Sequence, residues 1–249
     1  MARGLGTRGR FAAAYLVLGA VVGVGVGSFL VLLQREGPQP PPPWSSWKPS
    51  SPTRELRALE IARHVGGSYR LLGGDQLAAI DVGGPTRQQK VRAIVIPTKA
   101  EPKTLADFQP YDESKSVVYT LCGAGANCTL PTGAASAASD SVLRREALEL
   151  ALYTFEYARA VDNVLVFVPP GPGEKKVKST LFFHRDDLSS NLDKPLRKTL
   201  PQRQPPLPGQ IASREQETVD TLTGTSLYSY IGIVTAKGFG KLLVIQPSA

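Results

Sequence analysis

His184-Arg185-Asp186, with Asn191 five positions beyond the aspartate, has the spacing of a protein-kinase catalytic loop. In such a loop the Asp orients a substrate hydroxyl and the Asn holds magnesium. The remaining parts are missing. No glycine-rich loop and strand lysine precede it at the right place, and no Asp-Phe-Gly follows. Gly238-Phe239-Gly240 is no substitute. The structural alternative is a strand ending at His184, with Asp186 or Asp187 capping a short helical turn. Other reaction templates fail as well. There is no Gly-x-x-x-x-Gly-Lys phosphate loop and no His-Glu-x-x-His, and Gly224-Thr225-Ser226 lacks the second glycine of a nucleophile elbow. A hydrolytic site would have to be assembled in space from a serine, His64 or His184, and a carboxylate.

Cys122 and Cys128 bracket Gly-Ala-Gly-Ala-Asn, a loop flexible enough for the two thiols to close a disulfide in an oxidising compartment. The pair is not Cys-x-x-Cys, and zinc would need two further ligands. Asn127-Cys128-Thr129 fits a glycosylation pattern. The composition (Arg over Lys by 17 to 12, three Asn, abundant Ala, Gly and Pro) suits a GC-rich bacterial genome, in which that pattern would be idle. Lys175, Lys176 and Lys178 form a small basic loop. It reads either as a contact for anionic headgroups or cell-wall polymer, or as a solvated tip. No catalytic, cofactor or metal residue is expected from any motif.

The strongest signal is physical rather than chemical. Residues 11–33, Phe11 to Leu33, carry no charge over 23 positions. As a helix this is roughly 35 Å, against a hydrocarbon core of about 30 Å. Arg3, Arg8 and Arg10 precede it with no acid among them, which places residues 1–10 in the cytoplasm and everything after Gln34 outside. A cleavable signal normally has a shorter apolar run, so an uncleaved single-pass anchor is expected. Gly19, Gly23 and Gly27 recur every fourth residue, a face on which a second helix can approach closely in lipid. The bilayer and, through that face, a protein partner or another copy are the expected partners.

Residues 34–50 hold prolines at 38, 40–43 and 49, which makes them an extended spacer of up to roughly 50 Å. Trp44 and Trp47 within it could dip into headgroups or cap the following domain. Residues 51–249 then read as one domain. A helix opens at Ser51-Pro52 and ends at Gly66-Gly67. Strands are expected at 68–72 and 76–82 (a hairpin), and at 91–96, 117–121, 164–168, 178–183, 228–234 and 241–246. A long helix runs from about 140 to 161, with Arg144, Arg145 and Glu149 pointing away from its apolar side. Residues 195–209, with five prolines, read as surface loop.

Eight strands and two main helices without regular alternation give an α+β class, a mostly antiparallel sheet packed with helices. Setting Arg3, Arg8 and Arg10 aside, the net charge falls from +8 to +5, too little for nucleic-acid binding without a recognisable module. The expected function is a membrane-anchored, non-enzymatic binding or assembly module of the cell envelope. An extracytoplasmic hydrolase is the alternative, and attachment to anionic lipid or wall polymer a weaker one.

Overall fold

The computed structural model describes residues 15–24, 43–84, 91–131, 136–170 and 179–248. The chain divides into two units, Met1–Pro42 and Pro43–Ala249. In the first, residues 15–24 form a helix, α1, whose tyrosine, leucine and valine side chains are exposed. Gly19 and Gly23 lie on it, where a Cβ would meet nothing beyond the helix's own backbone among the described residues, and Gly27 lies outside the described residues. No helix of the described residues is long and apolar enough to cross a membrane, and most of 11–33 falls outside them.

The second unit begins with α2 (Arg54–Gly66). Its cap is Thr53, whose hydroxyl accepts from the Leu56 amide, rather than Ser51. The Ser51 hydroxyl instead donates to the Glu60 carboxylate, alongside the backbone amides of Ser50 and Ser51. Eight strands follow: β1 (Ala79–Val82), β2 (Ala93–Pro97), β3 (Phe108–Asp112), β4 (Ser116–Cys122), β5 (Asn163–Phe167), β6 (Ser179–His184), β7 (Leu227–Ala236) and β8 (Gly240–Pro247). Helix α3 (Ala137–Tyr157) connects β4 to β5, while α4 (Ser189–Leu192), α5 (Leu196–Thr199) and α6 (Ser213–Gly224) lie between β6 and β7.

The strands form one mixed sheet in the order β1-β4-β5-β6-β7-β8-β2-β3. Five pairings are antiparallel, and β4–β5 and β2–β8 are parallel. The chain is thus α+β, with eight strands and six helices among the described residues. The eighth strand is not the one expected. Residues 68–72 do turn back on 75–77, through the antiparallel bridge Arg70 to Gln76 and the Leu71–Asp75 and Leu77–Tyr69 backbone bonds, but they form no strand of the sheet. β3 takes their place, hidden from pattern reading by Pro110, which a sheet tolerates at an edge because no neighbour needs its missing amide.

Three apolar clusters result, two of them large. Helices α2 and α3 bury one face of β4, β5 and β6 through Val117, Tyr119, Val164, Val166, Leu181 and Phe183. On the opposite face Leu165 and Phe167 of β5 and Phe182 of β6 meet Ile94 of β2 and Leu243 of β8. The Tyr111 ring on the edge strand β3 lies 4.7 Å from the Phe182 ring on β6, although β7, β8 and β2 stand between them in the sheet, so the sheet curls over its own side chains.

Candidate functional site

Strands β2 and β8 are apolar at consecutive positions, Ala93-Ile94-Val95-Ile96 and Leu242-Leu243-Val244-Ile245. Alternate residues of a strand face opposite sides, so both faces want cover. Ile94, Ile96, Leu243 and Ile245 obtain it inside the curl. Val95, Leu242 and Val244 emerge on the other face and form a small cluster with Phe108 of β3 and Ala93 and Ala236. Among the described residues no α-helix lines it. The floor is a cleft of about 280 Å³ walled by Leu105, Phe108, Val234 and Phe239. Leu105, Val234 and Phe239 remain about half exposed, at 49%, 46% and 58%.

The β7–β8 turn aims Phe239 at this cleft. Gly238 and Gly240 both have positive φ, 84° and 82°, which lets the chain reverse over Lys237-Gly238-Phe239. A Cβ on Gly240 would come within 3.1 Å of the Arg92 side chain, so its absence lets the Arg92 stem lie along the turn. Arg92 is the one charged residue lining the cleft among the described residues. Lys237 lies on the turn, and Lys99 and Lys103 on the loop before Leu105, whereas Lys241, alternating with Leu242, falls on the Leu243 face. Asp107, beneath that loop, is held down to about 2 by the Lys99 ammonium at 2.6 Å and by the Lys103 and Thr104 amides. The cleft can shelter apolar groups, and its described residues offer no nucleophile or general acid or base.

A second cavity, about 340 Å³, opens where the curled sheet nearly meets itself, floored by Val82, Ile94, Val118 and Leu243. Arg54, Glu55 and Glu113 stand at its rim, but the Arg54 guanidinium already donates to Glu55 at 3.0 Å and to the Ser114 carbonyl. Neither His64 nor His184 lines either cavity.

The kinase-like residues are structural. The His184 imidazole accepts from the Asp186 amide and so caps the 3-10 turn 185–188 itself, in place of the expected aspartates. Arg185 donates to the Phe155, Ala158 and Val161 carbonyls, closing the end of α3, and lies over the Phe155 ring. Asn191 is buried and donates to Thr199. His64 is stacked under Trp47 with ring centroids 3.9 Å apart, and burial pulls its pKa below the ordinary range.

Cys122 and Cys128 form the expected disulfide, so neither is available to a metal. Within its ring Asn127 and Cys128 both take left-handed backbone angles, φ 55° and 62°. Lys175, Lys176 and Lys178 lie outside the described residues.

One cluster contradicts the expectation that Arg145 points away from the core. Arg145 is buried and donates to Glu215 at 2.5 Å, to Glu149 at 2.9 Å, to the Tyr69 hydroxyl and to the Gln202 carbonyl at 3.3 Å. Glu215 also accepts from the Gln202 amide at 2.9 Å, which fastens the proline-rich loop to α3 and α6. Next to it, Glu146 is fully buried, and neither carboxyl oxygen has a hydrogen-bond partner among the described residues. Burial first, and then the Glu149 charge, push its pKa well above the ordinary value. Helix α3 is covered by α2, α6 and the sheet, so thirteen of its 21 residues are buried and a single apolar stripe does not describe it.

Comparison with protein-family models, with curated proteins and with solved structures finds no match to this chain.

Proposed function

We propose that the chain is a single-pass membrane protein whose outer domain is a non-enzymatic binding module of the cell envelope, with the cleft between β2, β3, β7 and β8 as its contact surface. The observation that carries this reading is the two-sided apolar character of β2 and β8, one side of which has no helix lining it among the described residues. The floor on that side, Val95, Leu242 and Val244, is buried, and the half-exposed Leu105, Val234 and Phe239 around it supply the apolar surface a partner would cover. The uncharged run at 11–33 and the asymmetry of Arg3, Arg8 and Arg10 support the anchor and its orientation. The disulfide is consistent with an oxidising compartment.

The test is in-cell photo-crosslinking, with a photoreactive side chain in place of Phe239 in one strain and of Leu72 in another. Leu72 is 69% exposed on a different turn and serves as control. A defined adduct at 239 and none at 72 is expected. No adduct at 239, or the same pattern at both positions, would overturn the reading.

A further inference from the structure

We infer that the partner of this cleft is an anionic bilayer surface, into which the β7–β8 turn and the Leu105 loop insert; the inference rests on the binding-module reading above. The side chains that remain most exposed around the cleft stand on turn tips. Phe239 sits between the two glycines of the hairpin turn, and Leu105 opens the 3-10 turn 105–107 that leads into β3. Apolar tips enter a headgroup and acyl boundary without needing the broad complementary face that a folded partner must supply.

The charges choose the kind of surface. Lys237 stands two positions before Phe239, Lys103 two before Leu105, and Arg92 lies along the turn. The Asp107 carboxylate is occupied by Lys99 and two backbone amides. Glu101 is then the one acid on these two loops without an ion-pair partner among the described residues. Basic side chains around apolar tips match phospholipid headgroups of negative charge. A second copy fits worse. A twofold pairing of this face would set Arg92, Lys103 and Lys237 of one chain against the same basic rim of the other.

The experiment uses the full chain reconstituted in vesicles whose lipids carry bromine on the acyl chains, a short-range quencher of tryptophan. The variant is Phe239→Trp, read against wild type, in which Trp44 and Trp47 supply the background. In vesicles containing phosphatidylglycerol the added emission should be blue-shifted and quenched by bromine. In pure phosphatidylcholine the quenching should fall by roughly tenfold, and adding Lys103→Glu and Lys237→Glu should remove it in both lipids. Solvent-like, unquenched emission in both lipids overturns the inference, as does quenching indifferent to headgroup charge. A blue shift that follows protein density rather than bromine means self-association and also overturns it. Alkaline carbonate extraction of the same vesicles reports the anchor separately. A retained chain whose added indole stays unquenched would refute the lipid contact while leaving the anchored module standing.

Discussion

Glu146 is the residue whose chemistry least matches its surroundings. A carboxyl with no hydrogen-bond partner among the described residues, fully buried beside the Glu149 charge, is favoured in its protonated form, as the upward pKa shift records. Its stability contribution is therefore intact below the unfolded value near 4.5, where both states hold the proton. Above that, the unfolded chain releases a proton that the native state retains, and stability declines by about 1.4 kcal/mol per pH unit until the native carboxyl itself ionises. Glu146→Gln keeps the shape and removes the titration. The expected outcome is a urea midpoint that falls less between mildly acidic and mildly alkaline buffer than that of wild type. Equal slopes in the two proteins would show that Glu146 is solvated or paired. Arg145, one position earlier, is the opposite case. Its charge is matched by Glu215 and Glu149, so the pair was invisible to periodicity and yet is satisfied. A mid-helix Arg-Glu pair ahead of another Glu looks solvated in sequence. What buries it is α6, which carries only Val219 and Leu222 as large apolar residues and gave no helical pattern to read.

At the scale of elements, the proline-rich segment ends sooner than composition suggests. The Trp44 ring meets Tyr153 and Tyr157 edge-on, and its carbonyl accepts from the Leu196 amide at 2.8 Å. Trp47 covers His64, and its carbonyl accepts from the Tyr157 hydroxyl at 3.1 Å. Of the two roles open to these tryptophans in sequence, capping the domain is the one observed. Removing the stacked indole by Trp47→Ala should cost about 2 kcal/mol and expose residues 43–51 to protease. It should also raise the His64 pKa back toward 6.5, since burial is what lowers it. The lowered native pKa makes wild type lose stability as pH falls below 6.5, because the unfolded chain then takes up a proton the folded one refuses. That acid sensitivity should shrink in the variant, and imidazole proton shifts followed by NMR through the titration check it. An unmoved His64 resonance would mean that something other than Trp47 shields the ring. Strands rich in β-branched and apolar residues, such as β4 and β5, were legible because burial there follows directly from composition. β3 was not, since its place is fixed by pairing with β2 and not by its own residues Phe-Gln-Pro-Tyr-Asp.

The whole molecule joins a sheet half that is fully covered to one that is not, and sequence showed only the ingredients of that asymmetry. Both faces of β2 and β8 read as apolar, but which face the curl would cover depends on β5 and β6 reaching across the strands between, a non-local fact. The candidate surface was therefore missed, while the disulfide, set by six positions of local chain, was found. That bridge also ties the fold to its proposed compartment. Closing so short a ring is worth about 2 kcal/mol, so reduction should lower the melting temperature by roughly 5 °C for a domain of this size. Disulfides are rare where cytosolic thiol systems keep cysteines reduced, so an intact bridge in cells would support an exported domain. If residues 11–33 hold the chain in the bilayer with the domain outside, three outcomes must coincide in cells broken gently. The full-length chain stays with the membranes through alkaline carbonate, its cysteines resist alkylation until a reductant is added, and protease outside intact spheroplasts removes everything after the anchor. Recovery in the soluble fraction with both thiols already alkylated would sever the cleft from any lipid it could meet, because the anchor, the compartment and the bilayer contact all depend on the same uncharged run.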